Sequence, residues 1–191
     1  MRLRIATILL AMACGAWPQA GVQPGSEPSP METFAARAGA RTGWSSEIAR
    51  VNRNGTRMVL TALILEDREH PPETMRGVRV DLTTAADQEQ IYLDEEAAAR
   101  TQSALQEIVD MAARRGGPPP NGCFGAKAFW PLYDWPWNKY HELNADYCGS
   151  GDTAALVLSG RGSRRSFRIA GGDPADLAAQ LGDAIAQLKQ H

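Results

Sequence analysis

Histidine and cysteine are scarce in this chain of 191 residues, which contains three of each. The cysteines lack the CxxC spacing of structural zinc sites, and three thiolates are too few for a four-cysteine site. His141 is followed by glutamate but by no second histidine at the spacing of a zinc protease motif. We therefore expect no metal site and no cofactor.

The chain has no surplus of charge of one sign, since its formal net charge is −2. Proteins that bind nucleic acid usually carry a strongly basic surface, so nucleic acid is not expected as a partner. A phosphate-binding glycine loop and the GxSxG order of a serine nucleophile are also missing. These absences argue against nucleotide-dependent enzymes and serine hydrolases.

Long apolar runs are missing except at the start of the chain. Arg2 and Arg4 precede a short apolar run, Ile5–Ala13, and small residues follow it. This order predicts a secretory signal peptide over residues 1–20, because the run is too short to span a membrane. We therefore expect the protein to be exported, and either periplasmic, anchored in the outer envelope or secreted.

The residues around Cys14 allow two outcomes for this signal. The run Leu10–Gly15 resembles a bacterial lipoprotein signal, in which the cysteine is lipidated and becomes the new N-terminus. It departs from the usual pattern because Ala11 stands where leucine is typical and Met12 where a small residue is typical. Cys14 is thus either removed with the signal or lipidated. Lipidation would be the protein's one link to a membrane.

Export leaves Cys123 and Cys148 as the two pairable thiols. In an oxidising compartment such a pair usually forms a disulfide. The sequence therefore predicts a bridge between Cys123 and Cys148.

The domain itself is expected over residues 44–191. Gly21–Pro30 is rich in Pro, Gly and Ser and is typical of a linker. A short helix over Met31–Arg41 is weakly indicated, so residues 21–43 are assigned to a linker and this helix. Asn54-Gly55, the favoured pair for a tight hairpin turn, joins Glu47–Val51 to Arg57–Glu66.

The strand Met58–Leu65 is apolar on both faces, which predicts that both faces of its sheet are covered. Two further strand pairs are each followed by a helix: Val78–Leu82 and Glu89–Leu93 before a helix capped by Asp94, and Ala154–Ser159 and Ser166–Ala170 before a helix capped by Asp173. We predict an α+β domain with a mostly antiparallel sheet of about six strands, two helices on one face and a degenerate ββα repeat.

Eight of the thirteen aromatic residues lie between Cys123 and Cys148, and we call residues 123–148 the aromatic segment. One interpretation is that these rings cover the second face of the sheet, held there by the disulfide. The other is a surface that binds a protein or a small molecule, because rigid Trp-Pro units and ring faces suit stacking. The candidate ligand-binding residues are Tyr133, Trp135, Trp137 and Tyr140.

The most favoured function is a non-catalytic binding or envelope-associated module. Two alternatives stay open. Asp134, His141 and Glu142 would be the catalytic groups of a small secreted hydrolase. A protective or inhibitory protein would instead dock its aromatic loop into a partner protein.

Overall fold

In the computed structural model, the described residues are 29–69, 73–117, 121–125, 130–134, 139–150, 153–160, 166–170 and 172–191. Cys14, Trp135 and Trp137 lie outside these ranges. For residues 130–134 and 139–144 the description concerns the backbone. The elements, in chain order, are α1 (Pro30–Ala35), β1 (Ala40–Arg53), β2 (Thr56–Asp67), β3 (Thr74–Thr83), β4 (Gln88–Asp94), α2 (Glu95–Arg114), β5 (Asn121–Gly125), β6 (Trp130–Asp134), β7 (Lys139–Ser150), β8 (Thr153–Gly160), β9 (Ser166–Ala170) and α3 (Pro174–Leu188).

The first sheet, sheet A, is an antiparallel meander in the order β1-β2-β3-β4. Its first turn has the predicted chemistry, because Asn54 and Gly55 have φ values of 47° and 80°. Positive φ at both central residues gives the turn the twist that two antiparallel strands require. β2 lies in the interior of sheet A and is buried along most of its length. The prediction of a strand apolar on both faces is therefore confirmed.

The second sheet, sheet B, has the order β5-β7-β8-β9, and β6 also pairs with β7. The predicted α+β class and the antiparallel pairing are confirmed. The described strands number nine in two sheets, whereas we expected about six. The difference arises in the aromatic segment, which we interpreted as a covering segment and which supplies β5, β6 and most of β7. In both halves, antiparallel strands precede a long helix, as the ββα pattern indicated.

The two long helices begin where the sequence indicated. Asp94 caps α2 by accepting a hydrogen bond from the Ala97 amide at 2.7 Å, and Asp173 caps α3 by accepting one from the Ala175 amide at 2.8 Å. Such caps satisfy amides that have no partner inside the helix. Among the described residues, no helix is long and apolar enough to cross a membrane.

One large core joins both sheets to α2 and α3. The helices contact each other and place their apolar faces on the sheets. The core residues come from every layer: Leu60, Val80 and Leu93 from sheet A, Leu156, Leu158 and Phe167 from sheet B, and Leu105, Ile108, Leu177 and Leu181 from the helices. Two hydrogen bonds also join sheet A to sheet B and to α3. Thr56 Oγ1 donates to the Arg168 carbonyl of β9 at 3.0 Å, and Arg76 Nη1 donates to the Leu188 carbonyl at the end of α3 at 3.4 Å.

The second face of sheet A is covered at one end by α1. Met31 and Phe34 are fully buried there and pack with Leu63 and Leu65 of β2. We predicted that the aromatic segment would cover this face. Apart from Tyr147, which packs against the large core, the ring side chains of that segment lie outside the description.

The start of the domain also differs from the prediction. The helix α1 ends at Ala35, whereas we predicted a helix over Met31–Arg41. The strand β1 begins at Ala40, ahead of the expected boundary at residue 44. Because α1 packs on sheet A, residues 29–43 are part of the folded domain rather than a separate linker.

Candidate functional site

The strands β6 and β7 form a hairpin that brings two of the predicted ligand-binding residues together. Tyr133 and Tyr140 are direct partners in its register, and Asp134 pairs with Lys139. Directly opposed residues of an antiparallel pair lie on the same face, with Cβ atoms about 5 Å apart. Trp135 and Trp137 belong to the connection between the strands, outside the described residues. The candidate site is therefore the end of this hairpin, which we call the aromatic tip (residues 133–140).

The face of sheet B that carries the tyrosine pair is the one opposite the helices. Ala145 and Tyr147 of β7 contact the core on the helix side. Because residues alternate between faces along a strand, Tyr140 falls on the other side, together with Cys148. The register of β7 with its neighbours contains no shift that would reverse this alternation.

The first residues of β7 pair with β6 but not with β8. β8 pairs with β7 from Leu143 onwards, where Leu143 lies opposite Gly160. Residues 139–142 of β7 pair with β6, their one partner among the described strands. β6 and residues 139–142 of β7 thus form a two-stranded ribbon at the edge of the sheet. Loops and edges of this kind carry binding residues in many proteins, since a rigid scaffold positions them.

The predicted disulfide between Cys123 and Cys148 is confirmed. The two residues are direct partners between β5 and β7, with their Cα atoms 4.0 Å apart. Cys148 is nearly buried, whereas Cys123 is exposed. The bridge fixes the strand that carries Tyr140 to β5 at the base of the hairpin. It also shares the outer face of sheet B with the tyrosine pair.

The three predicted catalytic residues do not share one face of the hairpin. Glu142 lies opposite Pro131, on the face of Tyr140, whereas His141 lies opposite Leu132 on the other face. Asp134 is on the same face as His141. The register therefore separates Glu142 from the other two groups. A hydrolase that uses these residues stays a prediction.

Burial affects two titratable groups further along β7. It raises the pKa of Asp146, on the outer face, above its usual range. Burial and, to a smaller extent, the charge of Asp173 raise the pKa of Tyr147. Tyr147 lines a cavity of about 250 Å³ between the end of α2 and the start of α3, together with Val109, Ala112, Ala113 and Asp173. No sequence pattern indicates this cavity, because its small apolar residues are ordinary for helices.

A second cavity lies on the other side of the α3 N-terminus. It holds about 40 Å³ and is lined by Val51, Arg53, Met58, Leu177 and Gln180, among others. The Oε1 atom of Gln180 is buried and accepts no hydrogen bond from the part of the chain that the structure describes. The volume suits one or two water molecules, so the cavity offers little room for a ligand.

A polar network covers the outer face of β3 and β4. Asp81 accepts hydrogen bonds from Arg79 at 3.0 Å and Gln90 at 2.7 Å, and the Tyr92 hydroxyl donates to Gln90 Oε1 at 2.9 Å. In Val78–Leu82 apolar residues alternate with Arg79 and Asp81, which is the pattern of a strand with one polar face. Because these groups satisfy one another and remain partly exposed, the network is explained as a solvated sheet face.

Metal binding has no support in the described ranges. In residues 29–69 and 73–117, and in the described strands and helix that follow, no group of three or more His, Cys, Asp or Glu side chains could hold a metal ion. His70 lies outside the described residues.

The chain is thus an α+β protein with two antiparallel sheets. A disulfide joins β5 to β7 next to the hairpin of β6 and β7. Comparison of the chain with known protein families, with curated proteins and with solved structures finds no match. The function is therefore inferred from the chain's own geometry.

Proposed function

We propose that this protein is a non-catalytic binding module whose ligand contacts the aromatic tip. The observation that carries the proposal is the direct pairing of Tyr133 with Tyr140 on the face of sheet B opposite the helices. Strand alternation places both residues on the face opposite the main core, and we infer that a partner contacts them there. Trp135 and Trp137 follow in the connection and would extend the same aromatic surface.

The disulfide supports this proposal because a binding surface gains affinity when it is held in one conformation before the ligand arrives. The Cys123–Cys148 bridge restrains the base of the hairpin and leaves its end unconstrained by β8. Tyrosine and tryptophan rings favour sugar rings and proline-rich peptides, which have flat apolar faces, and quaternary ammonium groups, which are held by cation–π attraction.

We also propose that the protein is exported, and that it works in the periplasm, on the envelope or outside the cell. The disulfide supports this location, since such bonds persist in oxidising compartments and are rare in the cytosol. Mass spectrometry of the mature N-terminus tests it. A mature chain that starts near Ala16, or at a lipidated Cys14, supports export, and a chain that keeps Met1 contradicts it.

The test of the binding proposal is a fluorescence titration with three defined probes: chitotetraose, a proline-rich decapeptide and choline. We expect one of these three probes to shift the tryptophan emission of the native protein in a saturable way. The double variant W135A/W137A should lose at least tenfold in affinity for that probe, because base or ring stacking on one aromatic contributes about 1 kcal/mol or more.

The matched control is W44F, since Trp44 lies on β1 of sheet A and its ring centroid is 4.2 Å from that of His191. This variant also removes a tryptophan and should bind as the native protein does. Equal affinity of native protein and W135A/W137A, with the fold of both verified by circular dichroism, would exclude the aromatic tip as the ligand site. A protein partner is tested in parallel by pull-down with and without reductant, and its recovery should fail with W135A.

A further inference from the structure

The helix α1 depends on its contact with sheet A in order to be helical. It has six residues, far fewer than an isolated helix needs in water. Two of them, Met31 and Phe34, are fully buried against Leu63 and Leu65. The apolar contact of two side chains is largely offset by the cost of ordering the segment. The docked state of α1 is therefore sensitive to small changes in energy.

Glu32 lies between the two buried anchors and belongs to the cap of α1. Ser29 Oγ accepts from the Glu32 amide at 3.0 Å, and Glu32 Oε2 accepts from the Ser29 amide at 3.3 Å. Ser29 also fixes the helix to sheet A by donating to the Tyr92 carbonyl of β4 at 2.7 Å. The carboxyl group is thus held at the edge of the α1 contact and does not reach freely into solvent.

Burial raises the pKa of Glu32 to about 7, although the hydrogen bond from the Ser29 amide acts in the opposite direction. In the undocked segment this carboxyl group would regain its ordinary pKa of 4.5. The docked state therefore holds its proton more tightly than the undocked state does. Because of this difference in proton binding, lowering the pH favours the docking of α1 on sheet A.

Other charged groups around α1 do not account for the raised pKa of Glu32. Strands β1, β3 and β4 pack against α1. Arg37, just past the helix, contacts the carboxylates of Asp67 and Glu73 at 3.5 and 2.6 Å and lies over the Phe34 ring. Three further titratable groups near α1 have hydrogen-bond partners of their own. Tyr92 donates to Gln90, Arg76 donates to the Leu188 carbonyl, and Asp94 accepts from the Ala97 amide. In the part of the chain that the structure describes, none of these charges changes the pKa of Glu32.

We propose that α1 is a proton-controlled latch, which is docked on sheet A while Glu32 is protonated and is released when this carboxyl group ionises. Docking is strongest at and below pH 4.5, where Glu32 is protonated in both states. It weakens as the pH rises from 4.5 to 7, and the contribution of the proton is lost above 7. Release exposes an apolar strip formed by Leu63, Leu65, Met75 and Tyr92.

Amide hydrogen exchange of the intact protein, followed by NMR, tests the latch. The amides of Thr33, Ala36 and Arg37 are hydrogen-bonded to the carbonyls of Ser29, Glu32 and Phe34 in docked α1. After correction for intrinsic exchange, we expect their protection to fall by at least about tenfold between pH 5 and pH 8. Core amides of α2, such as that of Leu105, should keep their protection, because local release does not unfold the domain.

The deciding variant is E32Q, which keeps an acceptor for the Ser29 amide but cannot ionise. Its α1 amides should stay protected across the whole range. The matched control is E47Q on β1, an exposed acid paired with Arg50, which should retain the native pH profile. M31A should release α1 at every pH while the α2 amides stay protected. A native α1 whose protection does not change between pH 5 and 8, or an E32Q profile equal to the native one, would overturn the proposal.

Discussion

The sulfur of Met31 occupies the space directly above Gly77 of β3, where any other residue would place its Cβ. The carbonyl oxygen of Leu93 closes the same space from β4. The absence of a side chain at position 77 is therefore what allows α1 to lie on sheet A. A single glycine in the sheet and a single methionine in a six-residue helix depend on each other.

We expect G77A to lower the free energy of unfolding by about 2 kcal/mol, because the new methyl group meets Met31 and the β4 backbone. M31A should cost a similar amount at pH 5, where native α1 is docked, because it removes the buried apolar contact of α1 with sheet A. The double variant G77A/M31A should cost less than the sum, since part of the clash is gone. Urea unfolding of the four proteins measures this coupling. Strict additivity would show that Gly77 and Met31 act independently.

The disulfide should stabilise the domain by about 3 kcal/mol, the value expected when a bridge closes a loop of this length. Cys123 and Cys148 are 25 residues apart in sequence. Reductant should therefore lower the urea midpoint of the native protein, and the variant C123A/C148A should resemble the reduced form. The same variant provides the control, because reductant should leave its midpoint unchanged. A native midpoint that is insensitive to full reduction would contradict the expected stabilisation.

Much of the fold could be predicted because local chemistry and tertiary packing agree. Asn54-Gly55 adopts the positive φ values that its turn requires. Asp94 and Asp173 both cap helices, as their positions ahead of apolar stripes indicated. The strand Met58–Leu65 is buried on both faces because α2 and α3 cover one side and α1 covers part of the other.

The packing of α1 over Leu63 and Leu65 could not be predicted, because it depends on contacts between residues that are far apart in the chain. Only Met31 and Phe34 are large and apolar in α1, which is too few to reveal a periodic pattern. Their contribution depends on Gly77, more than forty residues away in the chain. The aromatic segment, by contrast, has an obvious excess of rings, and its place over the second face of the sheet stays a prediction.

The strands of the aromatic segment were missed for a different reason. Pro131 in β6 argues against a strand, since proline cannot donate to a neighbouring strand. In the structure β6 lies at an edge, where β7 is its partner among the described strands, and an edge tolerates proline. The excess of aromatic residues was thus enough to locate the candidate site. The pairing of Tyr133 with Tyr140 became apparent only from the register of the strands.

The hydroxyl of Tyr147 should titrate above pH 10, because burial and the charge of Asp173 both oppose its ionisation. We expect D173N to lower the pKa of Tyr147 but to leave it above 10, since burial is the larger cause. Asparagine can still cap α3, so the fold should persist. Absorbance at alkaline pH, compared with Y147F, isolates this hydroxyl. D176N, which removes an exposed acid one turn into the same helix, should have the smaller effect, and an equal effect would contradict the assignment to Asp173.

The side chain of Gln180 gives the last prediction, because its oxygen is buried beside a cavity without a donor from the described chain. A buried acceptor without a partner loses its hydration and gains little in return. Methionine has nearly the same length and no such oxygen, so Q180M should raise the free energy of unfolding by about 1 kcal/mol. Q106M is the matched control, since Gln106 is exposed on α2 and donates to Asp110 at 3.1 Å. Its effect in urea unfolding should be close to zero. A clear loss of stability in Q180M would mean that the amide oxygen is satisfied in solution, most simply by water held in the cavity.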